Sequence, residues 1–187
     1  MSTRRVKIVL LCEDSQHEAF ITRFLEGMGW NKRELRVEKN PSPRGSAEQW
    51  VRENFPKELK LYRLRKHRAA SAVIAMIDAD TRDRKVRKGR ISDLEEACTA
   101  KGIPFRTSDE AVAIAVPKRN IETWIYYLNG ESVDEEAVYP KLAAERGCKP
   151  AVTYLVRLCR STGLKPDAPP ALAAACEEYN VRIRPLI

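Results

Sequence analysis

Short apolar runs alternate along the chain with longer segments in which apolar residues recur every three or four positions. Residues 6–12, VKIVLLC, form an apolar run broken by one lysine. Residues 15–28 then place Ala19, Phe20, Phe24, Leu25 and Met28 at helical spacing, so the pattern predicts strand, turn, helix. Residues 35–39, LRVEK, alternate as a short edge strand does. The turn formers of NPSPRGS, 40–46, make a loop in which Ser46 is placed to cap the next helix. That helix carries Trp50, Val51 and Phe55 along one side; Pro56 is expected to interrupt or kink it, and residues 57–68 continue as a strongly basic helix.

Ala72, Val73, Ile74, Ala75, Met76 and Ile77 have the length and β-branching of a buried strand, and they run directly into Asp78-Ala79-Asp80. A basic loop follows, then a helix over 92–100 that ends near Gly102. AVAIAV, 111–116, predicts a further buried strand that stops at Pro117. The helix after it carries Ile121, Trp124, Ile125 and Leu128 and closes at Asn129-Gly130. Beyond this point strands cease, and two helices are expected, 151–160 and 171–181, separated by the proline-rich KPDAPP of 165–170.

Alternating strands and helices, with strands that are nearly continuous apolar runs, imply an α/β layer fold with a mainly parallel sheet and helices on both faces. At 187 residues the chain suits one core. The expected division is a principal unit over 1–130 and a helical C-terminal extension over 131–187 packed on the same domain. No apolar stretch approaches the roughly 20 residues of a membrane span, and the N-terminus enters the first strand without a leader-like apolar region. The expected setting is therefore cytoplasmic. Five cysteines without a C-x-x-C pair suggest reduced packing residues rather than a disulfide framework or zinc ribbon. The net charge of +8, from 34 Lys and Arg against 26 Asp and Glu, suits a polyanionic partner as well as a merely solubilising surface.

Ligands of parallel sheets bind beyond the carboxyl ends of the strands, and acids stand at three such ends: Glu13-Asp14, Asp78 with Asp80, and Glu122 one turn after the last strand. Like charges held together repel and lose hydration, so folding alone gives little reason to gather them. An all-oxygen cluster suits a hard cation, Mg²⁺ or Mn²⁺. Each acid also has a structural reading: Asp favours turns, Glu13 is placed to cap the helix from Ser15, and Glu122 complements a helix dipole. His17 and His67 are isolated and read as surface or supporting residues. Trp50, Trp124 and Tyr62 read as packing aromatics.

The stretches IVLLCEDSQHEAF, VIAMIDADT and VPKRNIETWIYYL, in that order, resemble the Toprim domain of topoisomerases, DnaG-type primases and OLD-family nucleases. Within that group they are most similar to small stand-alone OLD-like Toprim nucleases. The resemblance implies a Toprim-like Rossmannoid fold over about two thirds of the chain, with Glu13 in the place of the Toprim glutamate and Asp78 and Asp80 as metal-binding aspartates. Glu122 matches the further acid of the nuclease-like branch. Where many members have Glu-Gly this chain has Glu13-Asp14, which places the tight turn on a residue less tolerant of left-handed geometry. An acid often found four residues after the first falls here on His17.

The activity so implied is Mg²⁺- or Mn²⁺-dependent hydrolysis of phosphodiester bonds in DNA or RNA, DNA ahead of RNA, within a defence or repair assembly. Glu13 would share a second ion or take the proton of the attacking water, and Lys118 or Arg119 would neutralise charge on phosphorus. Arg82, Arg84, Lys85, Arg87, Lys88 and Arg90, beside the acids, would hold nucleic-acid phosphates together with Arg119. A separate ABC-type or OLD-like ATPase is the partner protein that the resemblance suggests, and self-association is compatible with it. The competing reading is a Toprim-like module that binds nucleic acid or protein without cutting.

Overall fold

The computed structural model describes residues 7–41, 46–66, 71–79 and 86–187, with the backbone alone at 86–88. Four strands, β1 (Ile8–Cys12), β2 (Leu35–Lys39), β3 (Ala72–Met76) and β4 (Val112–Ala115), form one all-parallel sheet in the order β2-β1-β3-β4. The fold is α/β, a parallel sheet flanked by helices. Every residue of β1, β3 and β4 is buried, as their unbroken apolar sequences require, whereas only Leu35 of β2 is. The polar alternation of LRVEK therefore marks an edge.

Among the described residues six helices flank the sheet: α1 (Ser15–Met28), α2 (Ala47–Arg65), α3 (Val86–Ala100), α4 (Glu122–Leu128), α5 (Lys149–Arg160) and α6 (Pro170–Arg182). Helix α1 packs on α5, α2 on α3, and α6 lies along β4. Gly27 sets the first contact, because a Cβ there would stand 2.6 Å from Cγ2 of Val156. Asp14 rather than Glu13 caps α1, accepting the N–H groups of Gln16 and His17 from an extended backbone with φ of −144°. The turn at Asp14 thus needs no left-handed residue.

Two further expectations are revised. Pro56 does not end its helix: α2 runs through it, anchored on both sides by the buried Val51, Phe55, Leu59 and Tyr62 on one helical stripe. Helix α3 begins at Val86 instead of Ser92, so Arg87, Lys88 and Arg90 belong to a helix and not to a loop. Lysine and arginine are good helix formers, and one glycine among them is tolerated.

The C-terminal helices close the open side of the sheet. The outward N–H of Ile114 on β4 donates to Oε2 of Glu178 on α6 at 3.1 Å, and Nη1 of Arg106 donates to the carbonyl of Val112 at 2.5 Å. Arg106 and Glu178 also pair with each other, so a salt bridge stands where another strand would pair. Tyr179 fixes α6 to α1 by an edge contact with Phe24 and by accepting from the Trp30 indole at 3.3 Å. Among the described residues no helix is long and apolar enough to cross a membrane.

Candidate functional site at the carboxyl ends of β1 and β3

The hydrogen-bond ladder of β3 determines which groups meet at its end. Ala72 N–H bonds to Lys7 on the β1 side, while Val73, Ile77 and Ala79 N–H bond to Ala111, Ala115 and Pro117 on the β4 side. Alternation sends the Asp78 N–H toward β1, where the chain has already turned into α1. The carboxylate of Glu13 fills the gap, its Oε1 accepting from Asp78 N–H at 2.6 Å. The carboxylate after β1 therefore reaches the backbone of the acidic residue after β3, as the neighbouring parallel strands allow.

One turn into α1, His17 is completely buried and its Nε2 lies 3.0 Å from Oδ1 of Asp78. Burial opposes a charge on this imidazole, but the charge and hydrogen bond of Asp78, reinforced by Asp14 and Glu13, push its pKa up to about 9. Among the described residues Nδ1 of His17 is buried without a hydrogen-bond partner. The Asp78 side chain keeps 14 % of its surface in solvent, so the cluster opens outward through it.

Glu122, in the first turn of α4, is 2 % exposed. Loss of hydration, and then the charges of Asp78 and Asp14, raise its carboxyl above the ordinary range against the pull of its own backbone hydrogen bond and of Lys141. Lys141 itself reaches to 3.9 Å from Asp14, and Ser15 donates to Glu145 at 2.9 Å. The segment between α4 and α5 thus borders the site, although no motif in it points there.

Arg90 has a different position from the one its basic surroundings suggest. Its Nε donates to the carbonyl of Asp78 at 3.1 Å and Nη2 to that of Ala79 at 3.3 Å, while Nη1 is shared between Glu48 at 2.6 Å and Asp93 at 3.2 Å. Four of its five donors are engaged within the chain. It clamps the end of β3 against α2 and α3. Lys118 is likewise paired, with Glu136. Arg119 is half-buried, and its Nε has no hydrogen-bond partner among the described residues. Within the basic helix, Arg63 turns inward in a two-pronged salt bridge to Glu110.

Asp80, Arg82, Arg84 and Lys85 lie outside the described residues, as do the side chains of Arg87 and Lys88. Of the predicted site, the structure joins Glu13 to the backbone of Asp78 and buries Glu122 within reach of the Asp78 and Asp14 charges, and it adds His17 against Asp78 and Lys141 near Asp14. Histidine at position 17 carried one usable signal: it stands four residues after Glu13, where the resemblance placed a further acid. Among the described residues no group of three or more His, Cys, Asp or Glu side chains is arranged to hold a metal as they stand. The residues around Asp78 nonetheless offer mainly carboxylate oxygens, the atoms that suit a hard cation.

No family model matches the chain, and neither a curated protein nor a solved structure matches it.

Proposed function

We propose that the protein is a divalent-metal-dependent phosphodiesterase acting on nucleic acid, with its site at the carboxyl ends of β1 and β3. The observation that carries this reading is the hydrogen bond by which the Glu13 carboxylate accepts the backbone N–H of Asp78 at 2.6 Å, with Glu122 buried close enough to feel the Asp78 charge. Asp78 and Glu122, with Asp80, are the residues that would hold Mg²⁺ or Mn²⁺. A bound ion would lower the pKa of a water and stabilise charge developing on phosphorus. His17 keeps the Asp78 carboxylate in one orientation through Oδ1, Arg90 fixes the backbone beneath it, and Glu13 is the group proposed to accept the proton of the attacking water. The Toprim-like order of the acids supports the same reading, and the surplus of eight positive charges favours a polyanionic substrate. An ABC-type ATPase remains the partner proposed from that resemblance.

A second reading, a binding module without catalysis, is favoured by the satisfied state of the cluster, in which Glu13 and His17 already have partners within the chain. Incubation of the protein with plasmid and single-stranded DNA in Mg²⁺ or Mn²⁺, beside an Asp78→Ala/Asp80→Ala variant, separates the two. Cleavage by the unaltered chain alone supports hydrolysis at this site. Binding without cleavage by either supports the module, and cleavage by both removes the site from consideration.

A further inference from the structure

We propose that Cys159 and Cys176 form a redox-active pair which a hydroperoxide converts into a disulfide joining α5 to α6. Their sulfurs, one on α5 and the other on α6, stand 3.9 Å apart. A disulfide needs about 2 Å, so the two side chains must close by roughly that amount. Space for this exists beside Cys176, which lines an apolar cavity of about 40 Å³ with Phe24, Leu155, Leu172 and Tyr179.

The two thiols differ in the way an attacking and a resolving cysteine must differ. Cys159 is partly exposed, whereas Cys176 is 9 % exposed. The hydrogen bond between the two sulfurs, with Arg184 nearby, favours the thiolate at Cys159 in spite of its burial. The same hydrogen bond, together with burial, keeps Cys176 protonated. Cys12, Cys98 and Cys148 are completely or almost completely buried, and burial pushes the Cys98 thiol up to about 11.

In the first step the Cys159 thiolate attacks one oxygen of the hydroperoxide. The S–O bond forms as the O–O bond breaks, giving a sulfenic acid and an alcohol, or water from hydrogen peroxide. Cys176 then loses its proton, its sulfur attacks that of Cys159, and the sulfenic oxygen departs as water. Two thiols and one hydroperoxide thus yield a disulfide, an alcohol and water, and the sulfurs give up two electrons to the peroxide. The bond closes a loop that includes the turn between the helices and secures α6, whose Glu178 lies two residues beyond Cys176 and holds the edge of β4.

The test uses the full chain treated with hydrogen peroxide, followed by mass analysis of peptides before and after dithiothreitol. The expected product is an intramolecular Cys159–Cys176 link, lighter by about 2 Da, reversed by the reductant and accompanied by a Tm higher by about 5 °C. Cys159→Ser should abolish it, and in Cys176→Ser dimedone should capture a sulfenic acid at Cys159. Should the buried substitution prevent folding, the Cys159→Ser comparison suffices. Absence of the link at peroxide levels that oxidise methionine, a link through any other cysteine, or sulfinic acid at Cys159 without a crosslink overturns the proposal.

Discussion

The Glu13 carboxylate accepts the backbone N–H of Asp78 at 2.6 Å, occupying the place where a further residue of β1 would have offered its carbonyl. One side chain thereby completes the ladder and joins two acids from distant parts of the chain. Glu13→Gln keeps an acceptor for this N–H, whereas Glu13→Ala leaves it unpaired. Urea unfolding should show Gln within about 0.5 kcal/mol of the parent and Ala lower by about 1–3 kcal/mol. Both should lose about 100-fold or more in cleavage, since neither side chain accepts a proton at neutral pH.

Glu122 is held in the fold at a cost, buried against the charges of Asp78 and Asp14. A carboxyl whose pKa is raised by folding destabilises the native state at pH values above its ordinary range, where the unfolded chain ionises more readily. Glu122→Gln should therefore raise stability at pH 7 by about 1 kcal/mol in thermal or urea unfolding while lowering cleavage. A decrease in stability would make Glu122 a structural residue.

Arg90 bonds to the carbonyls of Asp78 and Ala79 and to Glu48 and Asp93. Arg90→Met should cost about 2–4 kcal/mol by leaving buried acceptors and a carboxylate without their partner. Because that guanidinium is engaged inside the protein, the slope of DNA affinity against salt concentration, measured by fluorescence anisotropy, should not change. A slope shallower by about one unit would return Arg90 to the phosphate contacts.

At the other edge of the sheet, burial opposes ionisation of Glu178, but the hydrogen bonds and charge of Arg106 hold its carboxyl below the ordinary range. Glu110, similarly buried and bonded to Arg63, is held below it too. Stability from both pairs is complete above the unfolded carboxyl pKa of about 4.3 and is lost as pH falls toward their native values. Acid unfolding followed by circular dichroism should be less steep in Glu178→Gln than in the parent, with lower stability at pH 7.

These relationships show what was legible in the residues. The strands were, because apolar runs with β-branching have few alternatives, and β2 announced its edge through Arg36 and Glu38. The alternation of strands and helices also fixed which ends carry the acids, so the approach of Glu13 to Asp78 followed from parallel neighbours. Local choices were less visible. Whether Glu13 or Asp14 capped α1 depended on where the β3 ladder needed an acceptor, and the fate of Pro56 depended on apolar anchors to either side. Arg90 and Arg63 looked like their basic neighbours until packing set carboxylates and carbonyls in front of them. Lys141 reaches the site only because the segment before α5 folds back beside α1, a long-range arrangement no local pattern encodes.

Calorimetric titration of Mn²⁺ into the protein, beside Asp78→Asn and Glu122→Gln, tests the central claim most directly because it needs no substrate. The account predicts saturable binding to the parent and at least a tenfold loss of affinity in each variant. Binding absent from the parent, or equally strong in all three proteins, would contradict it.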